Sequence, residues 1–578
     1  MRRPDRTTIA LAGVLLGALL LRLWGIRSGL PFSYNSDEDG HFVPVAVGFF
    51  GHGLNPRYFL NPPGYTELLY LLYAVRYGGR AAVDRAYASD PSEVFLLARV
   101  TVALLGTTAV WLLHLAGARL LDRSVGLLAA AIGAVAFLPV FYGHLALNDV
   151  PAMAAATLAL LGAALVLRGR PLRGALLGGL AAGLAAGTKY TAGIALLPLL
   201  TAIVVQARAE RTPSLRAAVV PLGAACAAAL AGFLVANPYA LLDLRGFRAG
   251  VVQQRTLTSG ENLPKLGLTQ SSGIVYYLWS LTWGLGWIPA LAALGGALRL
   301  LVAVRYRSLA LVLLPAPVLY LLAMGLQERY FGRWLLPVLP IAILLAAYAG
   351  IEAARAAGRR APRLALPAAA LVAVALLAQG LVHSLHDDRV LARPDTRGSA
   401  RAWLVAHVPA GARVVVEPFA PASWLQDPDR AAPATPGGER WRLWDVARAD
   451  VDQLGRPLAR GRTRYVRVDE YERTLRPALL DRYVAGGFCW VVTSSDQSAR
   501  AFAQPRVAPR ALAYYAALAR RGAQVARFSP FRAAATPPRF DFDHAFDYYP
   551  LAYARPGPTV SVYRLHGGRC GPAAPYPH

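Results

Sequence analysis

Charge is scarce in this chain. Only 16% of its 578 residues are Asp, Glu, Lys or Arg, against about 25% in soluble globular proteins, which excludes a water-soluble multi-domain enzyme. Lysine is scarcer still: Lys189 and Lys265 stand alone among basic residues that are otherwise all arginine. No glycine-rich loop of the Walker or dinucleotide type occurs, which argues against a nucleotide bound inside the cell. What is abundant is apolar: 56% hydrophobic residues and a mean hydropathy of +0.39 describe a membrane protein. The net charge of +27 does not call for nucleic acid, because the arginines cluster in short tracts between apolar runs and no basic stripe interleaves with aromatics.

A bilayer span needs about 20 apolar residues. Runs of that kind lie at 8–25, 93–118, 124–143, 150–167, 173–187, 190–206, 217–236, 273–300, 309–326, 334–353 and 364–382, eleven in all. With Arg2, Arg3 and Arg6 cytoplasmic, the alternate loops should be basic as well. Arg119 and Arg123, then Arg168, Arg170 and Arg173, then Arg208, Arg211 and Arg216, then Arg305 and Arg307, then Arg355, Arg359, Arg360 and Arg363 all follow that rule. The first run lacks a small-residue cleavage site and reads as a retained anchor. The expected architecture is a polytopic α-helical membrane protein of about eleven transmembrane helices, residues 1–382, followed by an extracytoplasmic α/β domain, residues 383–578. Its amino terminus is cytoplasmic, and the membrane is the plasma membrane. The first outer loop, 26–92, holds two amphipathic stretches, 41–50 and 64–77, that suit the membrane interface.

Several residues beside these spans could carry chemistry. Ser36-Asp37-Glu38-Asp39-Gly40-His41-Phe42 follows the first span. Three consecutive acids there are either functional or the solvated cap of a helix begun by Ser36. Asp149 lies in a short loop before Pro151, where capping by Asn148 or Asp149 and a catalytic role are compatible. His144 reads as a substrate contact or as an interfacial side chain. Lys189 sits in a Gly-rich turn that lets a phosphate approach. Arg329 and Arg333 could bind phosphate through planar paired donors, or snorkel to lipid headgroups.

Taken in order, Asp37-Glu38 with His41-Phe42, Asn61-Pro62-Pro63-Gly64-Tyr65, Ala98-Arg99, His144 to Asp149-Val150-Pro151, Gly187-Thr188-Lys189-Tyr190, Asn237-Pro238-Tyr239 and Arg329-Tyr330 before Leu336-Pro337-Val338-Leu339-Pro340 resemble the GT-C superfamily of glycosyltransferases. Within it they are most similar to the protein O-mannosyltransferase and lipid A aminoarabinose transferase group, and the resemblance covers roughly residues 8–382. It implies a hexosyl- or pentosyltransferase of the bacterial cell envelope that works with inversion. The donor would be a polyprenyl-phosphate-linked sugar and the acceptor a hydroxyl on protein, lipid or glycan, with membrane lipids as further partners, no nucleic acid, no cofactor and no catalytic metal. It also implies roles. Asp37 is the base for the acceptor, with Glu38 the less favoured neighbour and Asp149 a further catalytic acid; Lys189, Arg329 and Arg333 hold the donor phosphate; His41 and His144 contact substrate. A polytopic transporter or lipid flippase is the competing reading, although the acids sit at span ends and no two-fold internal symmetry of the transporter kind is visible.

After residue 383 the composition changes. Short β-like runs, Val414-Val415-Val416 and Trp490-Val491-Val492, alternate with helix-like runs at 397–408, 474–484 and 510–521, and Val560-Ser561-Val562-Tyr563 reads as a final strand. Asp541, Asp543, His544 and Asp547 have the ligand types of a cation site but fit a solvated loop better. Cys226 falls in a span. Cys489 and Cys570 fall in the tail, where they either bridge or leave Cys489 a core thiol.

Overall fold

The computed structural model describes residues 5–209, 215–258, 272–533, 535–538, 540 and 549–572. They divide into two compact units: residues up to Ile26, from Gly40 to 258 and from 272 to Asp388 form one, and Arg27–Asp39 with the residues from Arg389 onward form the other.

The first unit is helical. Arg6–Leu23 is opened by Asp5, whose side chain accepts from the Thr8 N–H at 2.8 Å. Ser92–Leu120 is followed by Arg123–Val135, capped in the same way by Asp122. Then come Asp149–Leu167, Pro171–Thr188, Leu196–Ala209 after a tight turn over Tyr190–Ala195, Leu215–Val235, Trp287–Val302, Leu339–Arg360 and Ala365–Leu391. Among the described residues eight helices are long and apolar enough to cross a membrane, or ten if two bent pairs each count as one span. The chain is therefore an integral membrane protein. The run expected at 173–187 is also a helix, Pro171–Thr188, but stands outside that count. It is rich in glycine and packs between Asp149–Leu167 and Leu215–Val235. A Cβ at Gly183 would strike the Ala229 carbonyl, and one at Gly232 the Leu180 carbonyl, so backbone contact requires glycine at both. The amphipathic stretches of the first loop are helices, Val43–His52 and Gly64–Tyr77.

The span expected at 124–143 is broken. Arg123–Val135 and Phe137–His144 meet at 59°. Carbonyls freed at such a break need donors. Arg22, fully buried, donates to the carbonyls of Gly133 and Ala134 at 3.2 and 3.3 Å, and the Ser384 hydroxyl to that of Val135 at 3.1 Å.

The second unit contains a five-stranded sheet. With β1 Arg413–Val416, β2 Arg442–Leu443, β3 Arg448–Ala449, β4 Arg464–Tyr465, β5 Trp490–Ser494, β6 Gly522–Phe528 and β7 Val560–Leu565, the order is β2-β1-β5-β7-β6, and β3 and β4 form a separate antiparallel pair. β1 runs parallel to β2 and β5, and β7 antiparallel to β5 and β6. Alternation along the strands sorts the core. Val414, Val416, Trp490 and Val492 face a cluster with Trp424 and Trp441, whereas Val415 and Val491 face one with Tyr483, Tyr514 and Leu518. Helices Thr396–His407, Ala478–Ala485, Ser495–Ala503 and Pro509–Arg521 cover the sheet. Cys489 and Cys570 are bonded, Cα to Cα 4.9 Å. Phe32 and Tyr34 belong to this unit: the Arg401 guanidinium lies 5.0 Å over the Phe32 ring and that of Arg397 3.7 Å over Tyr34. Residue 383 is not a structural boundary, because the helix over it runs on to Leu391.

Candidate active site

The Asp149–Lys189 pair arises from two helix ends. Pro171–Thr188 stops where Lys189 turns extended, φ −151° and ψ 117°. The Lys189 N–H still reaches the Ala185 carbonyl at 2.8 Å, and the Asn148 side-chain amide donates to the Thr188 carbonyl at 2.7 Å. That bond satisfies an acceptor stranded by the break. Asn148 does not cap its own helix, and Asp149 occupies its first turn, where a negative charge complements the helix dipole. The Asp149 carboxylate accepts from the Lys189 ammonium, with both side chains buried. The alternative of Asp149 as a capping residue is thus replaced by a buried ion pair.

The same end of the helical unit gathers other motif residues. A Cβ on Gly64 would lie 2.7 Å from the Gly187 carbonyl oxygen and 3.0 Å from the Thr188 hydroxyl, which explains the glycine after Pro62-Pro63. His41 stacks on Tyr58, centroids 4.5 Å apart, and Asn61 donates to the Tyr58 hydroxyl at 3.2 Å. The Tyr190 hydroxyl donates to the Phe59 carbonyl at 3.0 Å. Tyr320, which the sequence did not single out, donates to the Trp334 carbonyl at 2.5 Å and lies beside Thr191 and Asp149. It thereby holds the segment carrying Arg329 and Arg333 to the helix Pro315–Gly325. Both guanidinium groups sit over the Phe331 ring, at 5.2 and 5.1 Å, and Tyr330 packs on Tyr276 with centroids 4.5 Å apart.

The acidic stretch is organised differently from expectation. Asn35, rather than Ser36, opens its helical turn: the Asn35 side-chain oxygen accepts from the N–H groups of Asp37 and Glu38 at 3.0 and 3.2 Å. Glu38 is fully buried and accepts from the Ser33 hydroxyl at 2.6 Å, so the three acids are not a uniformly solvated cap. Asp37 is half-buried. Burial, and then the charge of Glu38, pushes the Asp39 carboxyl up to about 6. Asp37 and Glu38 belong to the second unit, and His41 to the first.

His144 is not an interfacial side chain. It is buried, its ring nitrogens each 3.0 Å from a backbone carbonyl, Nδ1 from Val140 and Nε2 from Trp24, with Asp388 at 3.4 Å. Arg22 and Asp388, both fully buried in this neighbourhood, were missed by a reading that treated spans as apolar runs. The signal was an arginine inside the first run and paired aspartates after the last. Arg99 is also buried and donates to the Ile26 carbonyl at 2.9 Å. Glu67, three residues after Gly64, is another missed carboxyl, pushed up to about 7 by burial. Among the described residues no cluster of His, Cys, Asp or Glu is arranged to hold a metal ion; Asp541, Asp543, His544 and Asp547 lie outside them.

Comparison with known proteins meets this geometry at the segment that builds the pair. Residues 93–236 match the family model of the dolichyl-phosphate-mannose-protein mannosyltransferases. That stretch contains Arg99, His144, Asp149 and Lys189, and ends beside Asn237. The chain has a GT-C-like fold. Its structure is similar to that of the oligosaccharyltransferase of Archaeoglobus fulgidus in the apo form, at 12% identity and a TM-score of 0.51, covering 91% of this chain and 73% of that one. It also aligns with ArnT of Cupriavidus metallidurans bound to undecaprenyl phosphate, at 16% identity and a TM-score of 0.46, over 98% of this chain and 99% of that one. No curated protein sequence matches the chain.

Proposed function

We propose that this protein is an inverting glycosyltransferase that moves a sugar from a polyprenyl-phosphate donor to a hydroxyl on protein, lipid or envelope glycan, at the extracytoplasmic face of the plasma membrane. The amino terminus is then cytoplasmic and the carboxy-terminal domain extracytoplasmic. The observation that carries this reading is the buried Asp149–Lys189 pair, built by two helix ends inside the segment that matches a family named for a dolichyl-phosphate sugar.

The chemistry follows from the residue types. The bond between the anomeric carbon and the donor phosphate breaks, and its electron pair leaves with the phosphate. The acceptor oxygen bonds that carbon, and the acceptor proton passes to a carboxylate. Such a transfer develops positive charge on the sugar and negative charge on the leaving group. Lys189, Arg329 and Arg333 supply fixed positive charge to the phosphate, while Asp149 orients Lys189. Asp37 takes the proton, and burial of Glu38 against Ser33 supports that choice over its neighbour. His41, stacked on Tyr58, contacts the sugar or acceptor. The task of His144 is to hold the broken span in place.

The test is transfer of radiolabel from a panel of polyprenyl-phosphate sugars to membranes containing the folded protein. Label arriving in protein, lipid or glycan supports the reading and identifies the acceptor class. No transfer from any donor would overturn it.

A further inference from the structure

The helix Leu244–Thr258 follows the span Leu215–Val235 through a short turn, Tyr239–Leu242. It starts there because the Asp243 side chain accepts from the Gly246 N–H at 2.9 Å. One face is docked. The Phe247 ring meets Phe59, Tyr190 and Phe233 at centroid distances of 5.9, 6.2 and 6.4 Å, and Gly250 lets the backbone close on Phe59, whose Cβ would be 2.5 Å from an added methyl.

The face turned away from this contact is not the polar face of an ordinary surface helix. Leu244, Arg245, Arg248, Val251, Val252 and Arg255 project together at helical spacing, and all six are exposed. Leu241 and Leu242, in the preceding turn, are 64% and 74% exposed. Asp243 is the only acid between Asn237 and Thr258, and it is engaged by Gly246 and Asn55. Apolar side chains mixed with arginine on one face, at the end of a membrane-spanning helix, fit the boundary between headgroups and acyl chains. The leucines and valines enter the acyl region while the guanidinium groups meet phosphate.

We propose that this face docks on anionic phospholipid, with Arg245, Arg248 and Arg255 binding the headgroup phosphates. Among the described residues no acid pairs with Arg245, Arg248 or Arg255, and the positive charge on that face selects an anionic over a zwitterionic surface. The docked face couples lipid binding to Phe59 and Tyr190, whose neighbours form the candidate active site, but the proposal does not depend on the transferase reading.

The test uses the full chain in nanodiscs of phosphatidylcholine, with and without phosphatidylglycerol, and reads amide hydrogen exchange over 244–258. Phosphatidylglycerol should slow exchange there several-fold, and the triple variant R245Q/R248Q/R255Q should lose that protection while the helix Ser92–Leu120 exchanges as in the wild type. Affinity for phosphatidylglycerol should fall by about fivefold for each arginine removed. Should the triple variant not fold, R248Q alone should show one such step. Equal protection in both lipids, protection that survives the substitutions, or the same protection from soluble glycerol phosphate would overturn the proposal. So would protection supplied by a co-purifying protein in the absence of lipid.

Discussion

At the scale of single residues, the proposed chemistry turns on side chains with very different surroundings. Asp37→Asn keeps the shape but cannot accept a proton, and loss of a positioned base costs about 100- to 10,000-fold in rate. Steady-state transfer together with donor binding checks this: the rate should collapse while binding stays near wild type, and activity within a few-fold of wild type would remove Asp37 from the role. Lys189 and Asp149 are buried against each other, so removing one strands the other, at about 3–5 kcal/mol. Lys189→Ala should therefore weaken donor use and lower the melting temperature, whereas Arg329→Ala, at a half-exposed site, should weaken donor use alone. Comparing D149N, K189M and the double variant separates these effects. The double variant should be more stable than either single one but still inactive. Donor dependence unchanged in both K189A and R329A would place the phosphate elsewhere.

At the scale of elements, the carboxy-terminal sheet carries a titration. Glu417 follows β1 and accepts from the Ser494 N–H and the Tyr515 hydroxyl, both at 2.7 Å. Burial, outweighing those two bonds and reinforced by Glu472 and Asp496, pushes its carboxyl up from 4.5 to about 8. The folded unit then holds a proton that the unfolded chain releases near pH 4.5. This contribution to stability is full below pH 4.5 and is lost as pH rises toward 8. Hydrogen exchange at Val415 and Val491, corrected for intrinsic rates, should show the sheet loosening between pH 5.5 and 8.5, and E417Q should flatten that dependence. The Cys489–Cys570 bridge ties the chain end to β5, and Trp490 donates to the Cys570 carbonyl at 3.2 Å. Closing a loop across a separation of 81 residues contributes about 4.5 kcal/mol in the chain-entropy model. Alkylation of the unfolded, unreduced chain should label one cysteine, Cys226, and three labelled residues would exclude the bridge.

At the scale of the whole molecule, the arrangement in the membrane can be tested directly. In a Cys226→Ala background, an impermeant thiol reagent applied to intact cells should label R462C, in the carboxy-terminal domain, and spare R360C until the membrane is opened. Reversed labelling would invert the topology and, with it, the face on which transfer takes place.

Much of the molecule was legible locally. Span positions, the break between 187 and 190, the strands at 414–416 and 490–492 and the helix near 510–521 all follow from apolar runs and short-range periodicity, which neighbours in sequence set among themselves. The site was legible only as residue types. Asn35 rather than Ser36 opens the acidic turn because a side-chain oxygen must reach two particular N–H groups, a matter of geometry within a few ångströms. Lys189 meets Asp149 forty residues away, Tyr320 donates to the Trp334 carbonyl, and Arg22 answers carbonyls freed more than a hundred residues later. Composition and periodicity determined that this is a helical membrane protein with a mixed α/β tail. Only the tertiary structure decided which buried charges are neighbours, because that depends on how helices with glycine faces pack and on which backbone groups their ends leave without partners.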